Sequence, residues 1–230
     1  AVSMRTIEYQ RPDAPHLIIF GVESGIAATW SYLCYDTVAK EGIVFDAAQQ
    51  SADVLTQKAK ECSVSITAIY LTHSHWDHTA DAAKLKRETN SPLFIHPEDE
   101  HRLAEPMLHT IWQLPFDIEG VTADYFINHG DKIQCGNWNF TVRHTPGHTE
   151  GSICFIDENQ SIAIVGDTLF ADSIGRSDLP GGNGNLLLES ITNQLLTLSD
   201  EVVFFAGHGE ISTIGEERIH NPFLIGISAL

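Results

Sequence analysis

The stretch Ile66-Thr67-Ala68-Ile69-Tyr70-Leu71-Thr72-His73-Ser74-His75-Trp76-Asp77-His78 decides how this chain is read. Its first six residues are mostly β-branched, aromatic and apolar, the composition of a buried strand. Three histidines and an aspartate then fall within the six residues from His73 to His78. Side chains alternate along an extended chain, so His73 and His75 project to one side at the strand end. Asp77 and His78 follow the bend and face a second point nearby. One segment can thus feed two metal ions. The alternative, a group of surface histidines at a strand-to-helix turn, fits poorly with so dense a set directly after an apolar strand.

Strands are expected before this segment at residues 16–20, 29–35 and 42–46, followed by a helix over Ser51–Glu61 that Ser51 caps and whose Val54 and Leu55 face inward. After it come a helix over residues 79–89, a strand over 92–95 and a short helix over 97–103 opened by Pro97. Strands restart at Lys132–Cys135, Trp138–His144, 152–156 and 161–165, the first pair joined by Gly136-Asn137 and the second by a polar turn from Asp157. An amphipathic helix over 185–198 and a strand over 202–205 complete the pattern. Mixed hairpins flanked by helices, in two similar parts, predict an α/β fold: a four-layer αββα sandwich of two mixed β-sheets with helices outside. No linker, charge block or internal repeat divides the sequence, so residues 1–230 read as a single domain.

Composition narrows the function. With 43% hydrophobic residues and no apolar run long enough to cross a bilayer, the chain reads as globular, with no membrane partner. Lys and Arg number 13 against 31 Asp and Glu, a formal charge of −18 that would repel a phosphate backbone, so no nucleic-acid partner is expected. Twelve histidines point to metal chemistry. The four cysteines are widely spaced and read as reduced thiols. Ala1-Val2-Ser3-Met4 shows no basic and apolar secretory pattern, and a cytoplasmic location is expected.

Three further residues stand in strand-end loops beside glycine: His148 in Thr145-Pro146-Gly147-His148, Asp167 in Gly166-Asp167, and His208 in Gly207-His208-Gly209. Glycine lets the backbone turn tightly toward an ion. Singly, each is as readily a solvated turn residue. The order His-x-His-x-Asp-His, then His, Asp and His at strand ends, resembles the metallo-β-lactamase superfamily. The segments from Ile174 to Asn183, Gly207-His208-Gly209, and Thr213-Ile214-Gly215-Glu216-Glu217 running to Asn221-Pro222-Phe223-Leu224 resemble the compact glyoxalase II-like hydroxyacylglutathione hydrolases. That resemblance implies that His73, His75 and His148 bind one metal, that Asp77, His78 and His208 bind the other, and that Asp167 bridges both.

Two divalent cations sharing a carboxylate can lower the pKa of a bridging water from about 15.7 toward 7 and polarise a carbonyl. A thioester suits such a site, because its thiolate leaving group, with a pKa of about 8.5, needs little help from a general acid. Asp77 and Asp167 are the expected catalytic carboxylates, with Asp77 orienting the nucleophile. Imidazole and carboxylate ligands accept zinc, iron or manganese; zinc is the first expectation. Arg176 is one of few cations and could fork onto a substrate carboxylate, or equally onto Asp178. The large glyoxalase II enzymes carry a basic C-terminal extension, whereas ten residues follow His220 here, so glutathione contacts must differ. Glu150 and Gly184 stand where the resemblance calls for proline and a bulkier residue.

The function expected is hydrolysis of a hydroxyacylglutathione-type thioester such as S-lactoylglutathione, a small-molecule substrate. Two alternatives are a mononuclear iron persulfide dioxygenase using His73, His75 and Asp167 or His148, and a non-catalytic metal-binding module.

Overall fold

A computed structural model describes residues 4–227 of the chain. The first three and last three residues of the expected 1–230 domain lie outside the described residues. The chain divides into two units, one running to Ile127 and including Gln134–Trp138, the other comprising Asn128–Ile133 and the residues from Asn139 onward.

The first unit is organised on a seven-stranded mixed sheet, strands β1 (Arg5–Arg11), β2 (Ala14–Ser24), β3 (Thr29–Asp36), β4 (Glu41–Phe45), β5 (Ser65–Tyr70), β6 (Leu93–Ile95) and β7 (Tyr125–Phe126) lying in chain order. The first four form an antiparallel meander; β5, β6 and β7 then add parallel to β4. β3 is buried along all eight residues because it has strands on both sides and apolar or hydrogen-bonded side chains on both faces. β1 escapes the sequence pattern because its alternating side chains are at most half-buried, so hydrophobic periodicity is faint at this edge.

Helices α1 (Ser51–Glu61), α2 (Trp76–Thr79) and α3 (Ala82–Thr89) belong to this unit. Leu55 of α1 and Leu85 of α3 join Leu33, Val44, Ile69 and Leu71 in its core. Ser51 does not cap α1 as expected: it is buried inside the first turn, its hydroxyl donating to Ala48 O at 2.6 Å, and the cap position falls to Gln50 at φ 70°. The carboxylate at that helix start is Asp81, whose Oδ2 accepts from Ala52 N at 3.0 Å. The same residue breaks the single helix expected over 79–89, since Asp81 leaves helical geometry (φ −103°, ψ 8°) between α2 and α3. The short helix at Pro97–Arg102 is of the tighter three-residue type, with His96 Nδ1 accepting from Glu98 N at 3.2 Å.

The second sheet contains β8 (Lys132–Cys135), β9 (Trp138–His144), β10 (Ile153–Asp157) and β11 (Ile162–Gly166), followed by a separate hairpin of β12 (Leu169–Phe170) and β13 (Ser173–Ile174). After α4 (Gly184–Ser190), β14 (Val203–Ala206) and β15 (Ser212–Thr213) complete the sheet in the order β15-β14-β11-β10-β9-β8, and α5 (Ile214–His220) follows. It too is mixed: β14 is parallel to β11, while β9, β10 and β11 are antiparallel neighbours. Asn183 caps α4 by accepting from Leu186 N at 3.0 Å. The helix expected over 185–198 widens after Ser190, with Leu196 N donating five residues back to Ile191 O at 2.9 Å. Leu187, Ile191, Leu195 and Leu198 nevertheless share one buried face in this unit's core. The fold is thus α/β with two mixed sheets and helices. Among the described residues no helix is long and apolar enough to cross a membrane.

Candidate metal centre

In the first unit the chain leaves β5 at Tyr70 and enters α2 at Trp76, and the intervening turn carries His73 and His75. Asp77 and His78 lie inside α2 rather than on an open bend. The His73 ring centroid is 5.0 Å from that of His75 and 4.1 Å from that of His78. This bunching is organised by Asp46, which follows β4 in a left-handed conformation (φ 63°) open to aspartate. Its Oδ1 accepts from Thr72 N at 2.8 Å, and its Oδ2 accepts from Thr72 Oγ1 and from His78 Nδ1, both at 2.7 Å.

Those contacts assign protons. A carboxylate oxygen accepts, so in the neutral ring the hydrogen of His78 lies on Nδ1 and the lone pair on Nε2. Thr72 Oγ1 gives its one hydrogen to Asp46 and therefore accepts from His73 Nδ1, 3.0 Å away, which leaves His73 Nε2 as a lone pair too. Both Nε2 atoms are buried and make no hydrogen bond among the described residues. Asp77 Oδ2 accepts from Thr29 Oγ1 at 3.0 Å and lies 3.5 Å from His78 Nε2.

In the second unit three strands deliver one residue each. β9 and β11 are each antiparallel to β10 and so run the same way; β14 is parallel to β11. Their C-terminal ends share one edge of the sheet, where His148, Asp167 and His208 follow. Gly147 makes the approach possible: at φ 139° it passes a backbone where an added Cβ would lie 2.3 Å from Leu187. His148 Nδ1 donates to the carbonyl oxygen of Arg176 at 2.7 Å, so in the neutral ring its lone pair is on Nε2. That nitrogen faces Asp167 Oδ2 at 3.4 Å, and His208 Nε2 faces the same oxygen at 3.3 Å. Two electron-rich atoms aimed at each other across such a gap are stabilised by a cation between them. The His208 ring packs edge-on to Phe170 of β12, with centroids 5.9 Å apart.

A profile described as the metallo-beta-lactamase superfamily matches residues 58–208, a span that takes in every ligand candidate from His73 to His208. The chain belongs to this superfamily. Hydroxyacylglutathione hydrolase GloC of Haemophilus influenzae is 36% identical over 176 residues, covering 75% of this chain and 82% of that one. The crystal structure of the B3 metallo-beta-lactamase BLEG-1 superposes with a TM-score of 0.84 at 34% identity, covering 90% of this chain and all of that one. The crystal structure of TTHA1623, in a di-iron-bound form, gives a TM-score of 0.77 at 30% identity and covers 89% of this chain and all of that one. The residues of this superfamily member fit divalent cations: outer partners hold the His73, His78 and His148 rings by Nδ1, and carboxylate oxygens stand 3.5 Å from His78 Nε2 and 3.4 Å from His148 Nε2.

Of the two partners expected for Arg176, a substrate carboxylate or Asp178, the structure shows the fork onto Asp178, with Nε 2.7 Å from Oδ1 and Nη2 2.9 Å from Oδ2. Its guanidinium holds the Asp178 carboxyl down at about 2. Both side chains are largely exposed, so the pair is weak and open to competition. In the sequence Arg176 stands out by its charge; in the structure its backbone carbonyl meets His148. The cysteines are free thiols. Burial pushes the Cys154 thiol up to about 11 and Cys135 up to about 12, so neither is a nucleophile at neutral pH.

Residues missed in the sequence are those behind the ligands. Asp46 reads there only as the end of a strand, although an aspartate closing an apolar run is itself a signal of a buried acceptor. Thr29 and Thr72 carry no such signal.

Proposed function

We propose that this chain is a dinuclear metallohydrolase that cleaves a thioester, with S-lactoylglutathione or a related hydroxyacylglutathione as substrate. In this reading His73, His75 and His148 hold one metal, Asp77, His78 and His208 hold the other, and Asp167 bridges them. The observation that carries it is the convergence of His148 and His208 Nε2 on a single Asp167 oxygen, with the His148 lone pair aimed at it by the Arg176 carbonyl. The GloC relative supports the thioester, and the di-iron-bound neighbour supports two ions; zinc is the metal proposed, with iron or manganese as alternatives.

Bound divalent cations supply a water of lowered pKa and polarise the scissile carbonyl. The chain's own residues do the rest. The Asp46 carboxylate and Thr72 hydroxyl hold the His78 and His73 rings with Nε2 deprotonated. Thr29 donates to Asp77 Oδ2, directing that carboxylate so that its other oxygen can accept a proton from the attacking water. The leaving thiolate departs without a protein acid. Arg176 meets a carboxylate of the thiol, exchanging Asp178 for the substrate. Both units act as one domain over residues 1–230, in the cytoplasm, with no nucleic-acid partner.

Metal counting on protein replete with zinc or iron, followed by turnover of an acyl-glutathione panel, a persulfide and a β-lactam, tests this reading. Two metals per chain and preferred thioester hydrolysis are expected. One iron with oxygen uptake on persulfide, or preference for the β-lactam, overturns it.

A further inference from the structure

The turn Pro97–Arg102 carries two charged residues into the interior of the first unit: Asp99 is fully buried and Arg102 is 5% exposed. Both act on Ser74, the residue between His73 and His75. Asp99 Oδ2 accepts from Ser74 N at 2.8 Å and from Ser74 Oγ at 3.1 Å. Arg102 Nη1 donates to Ser74 Oγ at 3.3 Å and stands 3.4 Å from Asp99 Oδ1. The single hydroxyl of Ser74 therefore gives its hydrogen to the carboxylate and takes one from the guanidinium, closing a triangle.

An ion pair withdrawn from water is a poor way to hold a fold, since its desolvation cost rivals its attraction and apolar residues of the same volume do as well. Its geometry here explains its presence. A carboxylate that captures the Ser74 N–H fixes the peptide plane joining Ser74 to His73, and the grip on the hydroxyl fixes the side chain at the same position. The backbone directions from which the His73 and His75 imidazoles leave are set by these two restraints. The ligands farther along are held otherwise: His78 by Asp46, and Asp77 by Thr29.

We infer that Asp99 and Arg102 are positioning residues for the metal held by His73 and His75, acting through Ser74, and that they act selectively on that ion and not on the one held by Asp77 and His78. This inference rests on the two-metal reading above. Outer partners of metal ligands typically govern 10–100-fold in affinity.

The test is zinc competition with a chromophoric chelator, resolving each binding step on the full chain and its Asp99→Asn, Arg102→Met, Arg102→Lys and Ser74→Ala variants. Thermal denaturation of each metal-free protein runs beside it. Asp99→Asn and Arg102→Met should weaken one step by about 10–100-fold and shift the other by less than about threefold. The weakened step should be the one that His75→Ala removes and Asp77→Ala spares. Arg102→Lys should recover part of the loss. Ser74→Ala, which keeps the N–H bond to Asp99, should show a smaller loss on the same step with a nearly unchanged apo melting temperature, so a failure of the charged variants to fold leaves a decisive arm. Equal weakening of both steps, or unchanged affinities with only a lower melting temperature, overturns the inference. If the wild type binds a single ion, the two-metal reading fails, yet weakening of that ion in the variants supports the positioning role and an unchanged affinity overturns it. A wild type that binds no zinc overturns both.

Discussion

The two sets of candidate ligands are built in opposite ways. In the first unit four candidates lie within the six residues His73–His78, and side-chain carboxylates, Asp46 and Asp99, hold the segment from behind. In the second unit three candidates come from three strand ends far apart in sequence, and backbone does the holding: the Arg176 carbonyl on His148, and Gly147 passing close beneath Leu187. A contiguous motif crowds its ligands by local sequence and then needs buried side-chain acceptors to orient them. A dispersed set is brought together by strand direction and needs only small residues and carbonyls where chains approach. The first set should therefore respond to charge changes behind the ligands, and the second to added bulk.

The largest expected effect tests the dispersed set itself. Asp167→Ala should cost more turnover than the roughly 10–100-fold typical of an outer partner, while His144→Ala, whose Nε2 lies 2.9 Å from Glu150 O, should keep near wild-type activity. Similar losses in both would remove Asp167 from the centre. Next in size is Asp46→Asn. Asparagine tolerates the left-handed backbone at this position, but its amide group can donate toward His78 Nδ1 and favour the wrong tautomer. Metal affinity should fall by about 10–100-fold, with folding retained, as read by chelator competition and circular dichroism; unchanged affinity would deny the first set its dependence on carboxylates.

Gly147→Ala is the matching probe of the second set. The added Cβ meets Leu187 backbone at 2.3 Å and the φ of 139° is strained for alanine, so stability should drop by about 1–3 kcal/mol. Calorimetry of the metal-free protein would register this as a lower Tm, and a wild-type Tm would show that bulk is not what this set resists. The smallest effect belongs to Arg176→Ala. Because the guanidinium is already engaged with Asp178 and largely exposed, KM for an acyl-glutathione should rise by at most about tenfold, with kcat nearly constant. Asp178→Asn, which releases the arginine, should lower KM. A short neutral thioester should be indifferent to both; an equal loss with it would reduce Arg176 to a loop residue.

The same contrast explains what could be read in advance. Strands β8 and β9 and the helix α1 lie where periodicity and turn residues put them, because each is locally amphipathic or bounded by strong punctuation. The α2–α3 break leaves no local signal because the partner of Asp81 there, Ala52 N, lies far behind it in sequence. The hairpin of β12 and β13 leaves no pattern in the sequence because each of its strands is two residues long, too short for any alternation. Arg176 stands out in the sequence as a charge, yet its carbonyl is what reaches His148.

By itself the sequence determined the α/β class and the dense His73–His78 motif, because these depend on local pattern and on the chemistry of residue types, whereas His148, Asp167 and His208 join the candidates only through the resemblance of the whole order to a family. Tertiary structure alone decided which nitrogen of His73, His78 and His148 is open to a cation, since that depends on what the other nitrogen meets: Thr72 and Asp46 in one unit, the Arg176 carbonyl in the other. It also decided that Asp99 and Arg102 stand behind Ser74, because a buried partner is chosen by the path of the folded chain and leaves no mark in the spacing of the residues it supports.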